Sequence, residues 1–142
     1  VNNMSEIVSI IMHRDNVNLK EAVQMYNHCK AAIYPGTNWD KKTWTRETLV
    51  EHYKPWKDVE KQGVKVHVGE CGCYNKVDNT LALNWFKDLF SVYSELDWGF
   101  ALWNFKGDFG IVSHNRKNTR WESIKGFSVD RDLYELVKAA IK

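Results

Sequence analysis

Glu70 is the residue whose surroundings best suit chemistry, because it follows Gly69 at the end of a β-branched run over residues 64–68. Such a run predicts a buried strand, and the Gly-Glu pair then places a carboxylate at the carboxyl end of that strand. In α/β folds this end of the sheet is where ligands bind and where catalytic residues lie. The sequence therefore predicts that Glu70 is the chemical centre of the chain.

Three cysteines, Cys29, Cys71 and Cys73, form a second group of reactive side chains. An odd count in a chain of 142 residues does not suit a disulfide framework. A structural zinc site needs four ligands, and only His67 lies near Cys71 and Cys73 in sequence. We therefore predict no metal and no cofactor, interpret these thiols as reduced and packed near the Glu70 strand, and interpret His67 as a core histidine.

Helices are predicted on both sides of the Glu70 strand. Apolar residues at helical spacing predict one helix over residues 45–62 and another that begins at Asp78 or Asn79. A last helix begins at Ser128 or Asp130 and carries an apolar face to the end of the chain. Each of these positions holds a side chain that can cap a helix N-terminus.

A second strand is predicted over residues 98–105, which are apolar without polar alternation until Asn104. This pattern is typical of parallel strands that are buried on both faces. The glycines in residues 106–112 predict a loop, and the polar stretch that follows predicts irregular structure with His114 and Arg116 as solvated side chains.

The order of helix, strand, helix, strand and helix predicts an α/β fold with a parallel sheet. Residues 1–38 are the least legible part of the chain, and residues 18–29 fit either a helix or the end of a strand. If this part supplies an earlier strand, the chain has about three βα units.

Two motifs at a suitable spacing resemble those of glycoside hydrolase family 5. His67–Gly72, which contains Gly69-Glu70, resembles the motif that ends the seventh barrel strand of these cellulase-like enzymes. Trp98–Gly107 resembles their eighth strand, which carries a tryptophan of the active site. The resemblance covers residues 33–142, and it is supported by two shorter matches at Tyr34–Gly36 and Tyr53–Trp56.

This resemblance implies that residues 1–142 form a single partial domain, the C-terminal portion of a (β/α)8 TIM barrel. Residues 33–142 would supply the last strands and helices of the barrel, while residues 1–32 stay unassigned.

The resemblance also implies a function, the retaining hydrolysis of a β-linked glucan or related polysaccharide. Glu70 matches the family's nucleophile, and Trp103 matches the ring that stacks on the sugar. Tyr26 matches the tyrosine of a His-x-Tyr motif whose histidine is replaced here by Gln24. Tyr74 would serve either as a sugar contact or as a loop anchor. The predicted substrate-binding residues are Trp103, Tyr74, Asn104, Lys106, Asp108 and Tyr26.

The second carboxyl group of the reaction is the missing feature. Retaining hydrolysis needs an acid/base carboxyl about 5–5.5 Å from the nucleophile. In the family this residue follows an asparagine, and the chain contains no Asn-Glu dipeptide. We therefore predict that the acid/base lies outside this chain unless Asp40, Glu47 or Asp108 replaces it.

Half a barrel also leaves two sheet edges and an apolar inner face uncovered. We expect Val66, Phe100 and Leu102 to lie on that inner face. The expected partners are therefore a complementary N-terminal half-barrel or a second copy of the chain.

Composition argues against two other classes of partner. The net charge is +2, from 20 basic and 18 acidic residues, so the chain lacks the basic character typical of proteins that bind nucleic acid or anionic membranes. No apolar run approaches the ~18 residues of a membrane span. The aromatic content of 13% suits both a core and a sugar-stacking cleft. The sequence does not indicate where the protein resides.

A second function from a different class fits the same residues, namely a non-catalytic half-barrel with a carbohydrate-binding or structural role. A carboxyl group close to Glu70 would discriminate the enzyme from this alternative. Thiol or metal chemistry at Cys71 and Cys73 is a third, disfavoured interpretation.

Overall fold

The computed structural model describes residues 34–37 and 41–141. Within these ranges the chain forms short strands and three helices. In chain order they are β1 (Gly36–Thr37), β2 (Thr43–Trp44), α1 (Arg46–Glu60), β3 (His67–Cys71), α2 (Asn79–Leu96), β4 (Gly99–Leu102), β5 (Trp121–Ile124), β6 (Phe127–Asp130) and α3 (Arg131–Ala140).

The parallel pair of β3 and β4 is the centre of the fold, and α2 makes the connection between the two strands. The predicted α/β rhythm with a parallel sheet is confirmed. Each of the two strands leads on to a helix, so the described residues hold two βα units. A third unit would need a strand before α1, and that prediction falls outside the described residues.

The helix starts follow local capping chemistry. Asp78 caps α2 by accepting a hydrogen bond from the amide of Thr80 at 2.9 Å. Asp130 caps α3 by accepting from the amides of Asp132 and Leu133, each at 3.1 Å. These two aspartates are the capping residues among the predicted alternatives, because each offers a carboxylate to otherwise unpaired amides.

The polar stretch over residues 116–126 contains a strand that the sequence analysis did not predict. β5 and β6 form an antiparallel hairpin joined by Lys125 and Gly126. Both linking residues have positive φ, 50° and 82°, as the tight two-residue hairpin turn requires. The alternation was hidden because β5 is exposed at its first three residues.

The core lies between the helices and one face of the parallel pair. Phe86, Leu89 and Tyr93 of α2 are fully buried in it, together with Leu133 of α3. The ring of Phe100 stacks on that of Phe90 with centroids 4.7 Å apart.

The prediction that Val66, Phe100 and Leu102 line the barrel's inner face is wrong, because all three pack against this core on the helix side. The prediction that the second strand is buried on both faces is also wrong. Gly99 and Ala101 are exposed, while Phe100 and Leu102 between them are partly buried. The parallel pair thus has one face covered by helices and one open face.

Both strands differ from their predicted bounds. β3 begins only at His67, where its pairing with Gly99 starts, and it extends to Cys71. Val64, in the predicted strand, is 53% exposed. β4 is limited to Gly99–Leu102, so Trp103 and Asn104 belong to the loop that follows it.

Candidate active site at the carboxyl ends of the parallel strands

An irregularity in β3 decides which way Glu70 faces. The partners across the two strands are His67 with Gly99, Val68 with Phe100, and Cys71 with Leu102. Gly69 and Glu70 together therefore stand opposite the single residue Ala101, as in a β-bulge. Strict alternation would turn Glu70 towards the helices. The extra residue instead leaves the Glu70 side chain exposed on the open face.

Trp103 comes directly after β4 and lies beside the end of β3. Its backbone amide donates a hydrogen bond to the carbonyl of Cys71 at 2.8 Å, and its side chain is 51% exposed. A Cβ atom at Gly72 would lie 1.9 Å from the Trp103 carbonyl oxygen. Only glycine at position 72 allows this approach. The motif around Glu70 therefore places the end of β3 in direct contact with the backbone of Trp103. The Trp103–Asn104 peptide bond is cis.

The loops after the two strands are joined by side chains as well. Asn75 donates its Nδ2 hydrogen to Oδ1 of Asp108 at 2.8 Å. The ring of Tyr74 lies 5.3 Å from that of Phe109, centroid to centroid. Tyr74 is partly buried in this contact, which favours the loop-anchor interpretation. Asn75 was missed in the sequence analysis, because a polar loop residue carries no signal of its partner.

Asn104 and Lys106 share the loop that begins at Trp103. Asn104 is partly buried, and its Oδ1 atom has no hydrogen-bond partner among the described residues. Its Nδ2 atom would lie 3.2 Å from a Cβ at Gly107, so the side chain folds back over this glycine. Lys106 is exposed. The predicted site residue Tyr26 lies outside the described residues.

His114 and Arg116 are not solvated, contrary to the prediction, since their exposed fractions are 0% and 2%. Nε2 of His114 lies 3.1 Å from Oδ2 of Asp130, and Nδ1 accepts a hydrogen bond from the Arg116 amide at 3.0 Å. Because Nδ1 is an acceptor, the proton sits on Nε2 and is donated to Asp130. Burial lowers the pKa of His114 and so favours this neutral form.

The guanidinium group of Arg116 reaches three separate parts of the chain. Nε donates to Oδ1 of Asn79 at 2.8 Å. One terminal nitrogen donates to the carbonyl of Cys73 at 2.8 Å, and the other donates to the carbonyl of Gly110 at 3.3 Å and lies 3.8 Å from Oδ2 of Asp130. Burial lowers the pKa of Arg116, while the Asp130 carboxylate acts in the opposite direction.

The two cysteines near Glu70 are free thiols in protected surroundings. Burial raises the pKa of Cys71 to about 12 and that of Cys73 to about 11, so neither forms a reactive thiolate near neutral pH. The interpretation as reduced, packed thiols is thus supported for both, and Cys29 lies outside the described residues.

The interpretation of His67 as a core histidine is wrong, because its side chain is exposed. A Cβ atom at Gly99 would lie 2.8 Å from His67 Nδ1, so the imidazole lies across this glycine on the open face. Within residues 34–37 and 41–141, no group of three His, Cys, Asp or Glu side chains could hold a metal ion. No helix in this part of the chain is long and apolar enough to cross a membrane.

Comparison with solved structures identifies similar proteins. A crystal structure of a glycoside hydrolase aligns with 48% sequence identity and a TM-score of 0.74, over 78% of this chain and 34% of that one. A scan of protein-family models and a search of curated proteins each find no match.

Two more distant structures share the fold. Cel5A of Thermotoga maritima in complex with mannotriose has 22% identity and a TM-score of 0.52, over 69% of this chain and 30% of that one. A hyperthermophilic endo-β-1,4-glucanase in complex with substrate has 19% identity and a TM-score of 0.54, over 75% of this chain and 30% of that one.

The chain thus spans about a third of the length of the structures that it matches. The predicted resemblance to cellulase-like glycoside hydrolases is confirmed, and Cel5A is among the similar structures. These neighbours are barrel enzymes, and the described part of this chain is an α/β unit with a parallel strand pair.

Proposed function

We propose that this chain is the C-terminal portion of a family 5 glycoside hydrolase that cleaves a β-linked glucan with retention of configuration. The observation that carries the proposal is the position of Glu70. Its carboxylate is exposed on the open face at the carboxyl end of β3, and the backbone of Trp103 is hydrogen-bonded to the same strand end. The 48% identity to a glycoside hydrolase supports the reaction class.

Glu70 is the nucleophile in this proposal. Its carboxylate oxygen attacks the anomeric carbon, the bond to the leaving oxygen breaks, and a glycosyl ester of Glu70 forms. Water then attacks the same carbon and releases the sugar and the free carboxylate. Among residues 34–37 and 41–141, no lysine or arginine forms an ion pair with Glu70, so a structural role as a paired acid gains no support.

Trp103 provides the stacking surface for the sugar. About half of its side chain is exposed, which leaves a ring face for the apolar face of a pyranose. On the same loop, the amide of Asn104 and the exposed ammonium of Lys106 can donate hydrogen bonds to sugar hydroxyls. Tyr74 and Asp108 line the joined loops, and Tyr26 remains a prediction from the motif match.

The acid/base carboxyl comes from outside this chain in the proposal. Of the internal candidates, Glu47 accepts a hydrogen bond from Thr45 at the start of α1, and Asp108 accepts one from Asn75. Asp40 lies outside the described residues. We propose that a complementary N-terminal half-barrel, which would also cover the open face, supplies the missing carboxyl. A second copy of the chain is the alternative cover.

The test compares leaving groups, because a good leaving group needs no proton from an acid. The chain alone should release dinitrophenol from 2,4-dinitrophenyl β-cellobioside but should not cleave cellotetraose. Glu70→Gln should lower the rate of dinitrophenol release by more than about 1,000-fold, because removal of a catalytic nucleophile typically costs at least this much in rate. Glu51→Gln, a change of an exposed acid on α1, is the matched control. Release that survives Glu70→Gln would refute the nucleophile assignment.

The alternative proposal is a non-catalytic half-barrel that binds carbohydrate or has a purely structural role. It depends on the exposed ring of Trp103, which can stack on a sugar without any second carboxyl group. Sugar binding without any dinitrophenol release would support the binding module. Absence of both would support the structural role.

A further inference from the structure

We propose that Arg116 is a positioning residue of the candidate site, which fixes the loop after β3 against the loop after β4. Its guanidinium and the three groups that accept its hydrogen bonds, Asn79 Oδ1 and the carbonyls of Cys73 and Gly110, are called the clamp below. The inference deepens the proposed function and rests on it for the effect on sugar binding. The effect on the loops is independent of function.

The clamp joins the loop after β3 and the start of α2 to the loop after β4. Cys73 lies three residues after Glu70, Gly110 lies in the loop after β4, and Asn79 is the first residue of α2. Each of the three guanidinium nitrogens has its own acceptor, at 2.8, 2.8 and 3.3 Å. A planar fork fixes the directions of all three hydrogen bonds at once. The guanidinium therefore fixes the separation between the two loops at their buried side, beside the Asn75–Asp108 hydrogen bond and the Tyr74–Phe109 ring contact.

The clamp is itself held in place. His114 accepts the hydrogen bond of the Arg116 amide and donates to Asp130. Asp130 lies 3.8 Å from the guanidinium and caps α3, so its position is fixed by a helix start. The Phe86 ring lies below the guanidinium, with its centroid 6.0 Å from Cζ. Arg116 thus occupies a fully packed, charge-compensated position rather than a solvated one.

The two carbonyls that Arg116 binds belong to the loops that carry the candidate site. Next to Cys73, Gly72 packs so closely on Trp103 that a Cβ there would meet the Trp103 carbonyl at 1.9 Å. A Cβ at Gly110 would lie 2.7 Å from the carbonyl oxygen of Asn104. A movement of either loop would therefore press on the backbone of Trp103 or Asn104. Arg116 reaches the site only through these contacts.

Lysine cannot replace this arrangement. Its single ammonium nitrogen keeps the charge near Asp130, but it cannot reach three acceptors that lie at different edges of one planar group. Arg116→Lys therefore keeps the positive charge but loses the three directed hydrogen bonds. Arg116→Met loses both the charge and the hydrogen bonds but keeps an unbranched side chain. Leu89→Ala is the matched control, because Leu89 is 1% exposed in α2 and its side chain makes no polar contact with either loop.

The test measures amide hydrogen exchange in residues 72–77 and 104–111 of the whole chain. We expect exchange in both stretches to become at least about tenfold faster in Arg116→Met and Arg116→Lys, because a buried hydrogen-bonded charge is lost or misplaced. Leu89→Ala should not accelerate these two stretches selectively. If Leu89→Ala gives the same pattern, or if only one loop loosens in the arginine variants, the clamp is overturned.

A measurement on the unmodified chain covers the case in which the variants fail to fold. The clamp requires the two stretches to open as one unit, so their slowest amides should respond identically to low concentrations of urea. Independent opening of the two loops would contradict it.

Sugar binding separates this inference from the proposed function. The indole N–H signal of Trp103, assigned with Trp103→Phe, should shift on addition of cellobiose. The cellobiose affinity should fall at least about tenfold in Arg116→Lys but stay unchanged in Leu89→Ala. If cellobiose does not shift the Trp103 signal of the unmodified chain, the proposed function is contradicted. The exchange data still test the clamp in that case. Unchanged affinity in Arg116→Lys despite loosened loops overturns the positioning role.

Discussion

The open face of the parallel strands and the buried polar cluster of Asp130, His114 and Arg116 differ in how their charged groups are partnered. On the open face, Glu70 and Trp103 are exposed, and no residue of the described chain pairs with the carboxylate. In the cluster, Asp130, His114 and Arg116 are buried, and each is hydrogen-bonded within the chain. The comparison indicates different roles: the groups of the open face stay available for a ligand, whereas those of the buried cluster hold the loops in place.

Stability should therefore depend on the cluster far more than on the open face. The largest loss is expected for Asp130→Ala, which removes the acceptor of the His114 hydrogen bond, the buried negative charge beside Arg116 and the cap of α3. We expect a loss of about 3–5 kcal/mol in the free energy of unfolding. Urea unfolding measures this, with Asp132→Ala as a control at a more exposed acid on the same helix. Equal losses in the two variants would contradict the account.

A matched pair of glycines sharpens the comparison at the border between the two regions. Gly72→Ala forces a Cβ into the Trp103 carbonyl, whereas a Cβ at Gly69 would meet nothing within 4 Å. We expect Gly72→Ala to cost about 1–3 kcal/mol by overpacking and to displace Trp103. Gly69→Ala should change the stability by less than about 0.5 kcal/mol. Thermal unfolding and the Trp103 indole signal report the two effects.

Acid should weaken the buried polar cluster. Burial and the neighbouring Arg116 lower the pKa of His114, and Asp130 opposes them only in part. Below the ordinary pKa of about 6.5, the unfolded chain binds a proton at His114 that the folded chain does not. Stability should therefore fall as the pH drops below about 6.5, by at most about 1.4 kcal/mol per unit from this residue.

Urea midpoints at several pH values between 5 and 8 would show this dependence. His52→Gln, a change at an exposed histidine, should leave the dependence intact. A stability that stays level from pH 7.5 to 5 would show that His114 is not buried as a neutral base.

A small effect on stability is expected when the exposed ring of the open face is removed. Trp103→Ala removes a half-exposed ring, so the free energy of unfolding should change by less than about 1 kcal/mol. The same change should abolish the cellobiose-induced shifts of neighbouring signals, since the stacking surface is gone. Calorimetry and a sugar titration test the two expectations, and a large loss of stability with normal sugar binding would invert the comparison.

Local signals explain which helix starts the sequence predicted and why two residues were chosen for the candidate site. The caps Asp78 and Asp130 and the apolar spacing of the helices each depend on residues within one or two turns. Glu70 and Trp103 were proposed because each lies at the end of a predicted strand, within a motif that resembles one of a known family. Their proximity followed from the parallel pairing of the two strands, which the helix between them already implied.

Long-range contacts explain what could not be predicted from the sequence. The acceptors of Arg116 lie 6, 37 and 43 residues away, so a basic residue in a polar stretch gave no sign of its burial. The sequence of β4 is uniformly apolar, so its pattern did not show which side chains face the helices. In the structure Phe100 faces the helices and Ala101 faces the open side. The bulge that turns Glu70 outward depends on register with the neighbouring strand.

Covalent trapping of Glu70 is the most direct test of the central claim. The reagent is 2,4-dinitrophenyl 2-deoxy-2-fluoro-β-cellobioside, whose activated leaving group needs no acid and whose fluorine slows release of the sugar from the enzyme. Mass spectrometry of the treated chain, followed by peptide mapping, should find one added fluorocellobiosyl group on Glu70 and none in Glu70→Gln. Attachment at another carboxylate, or turnover of the unfluorinated glycoside without any trapped ester, would contradict the assignment of Glu70 as the nucleophile.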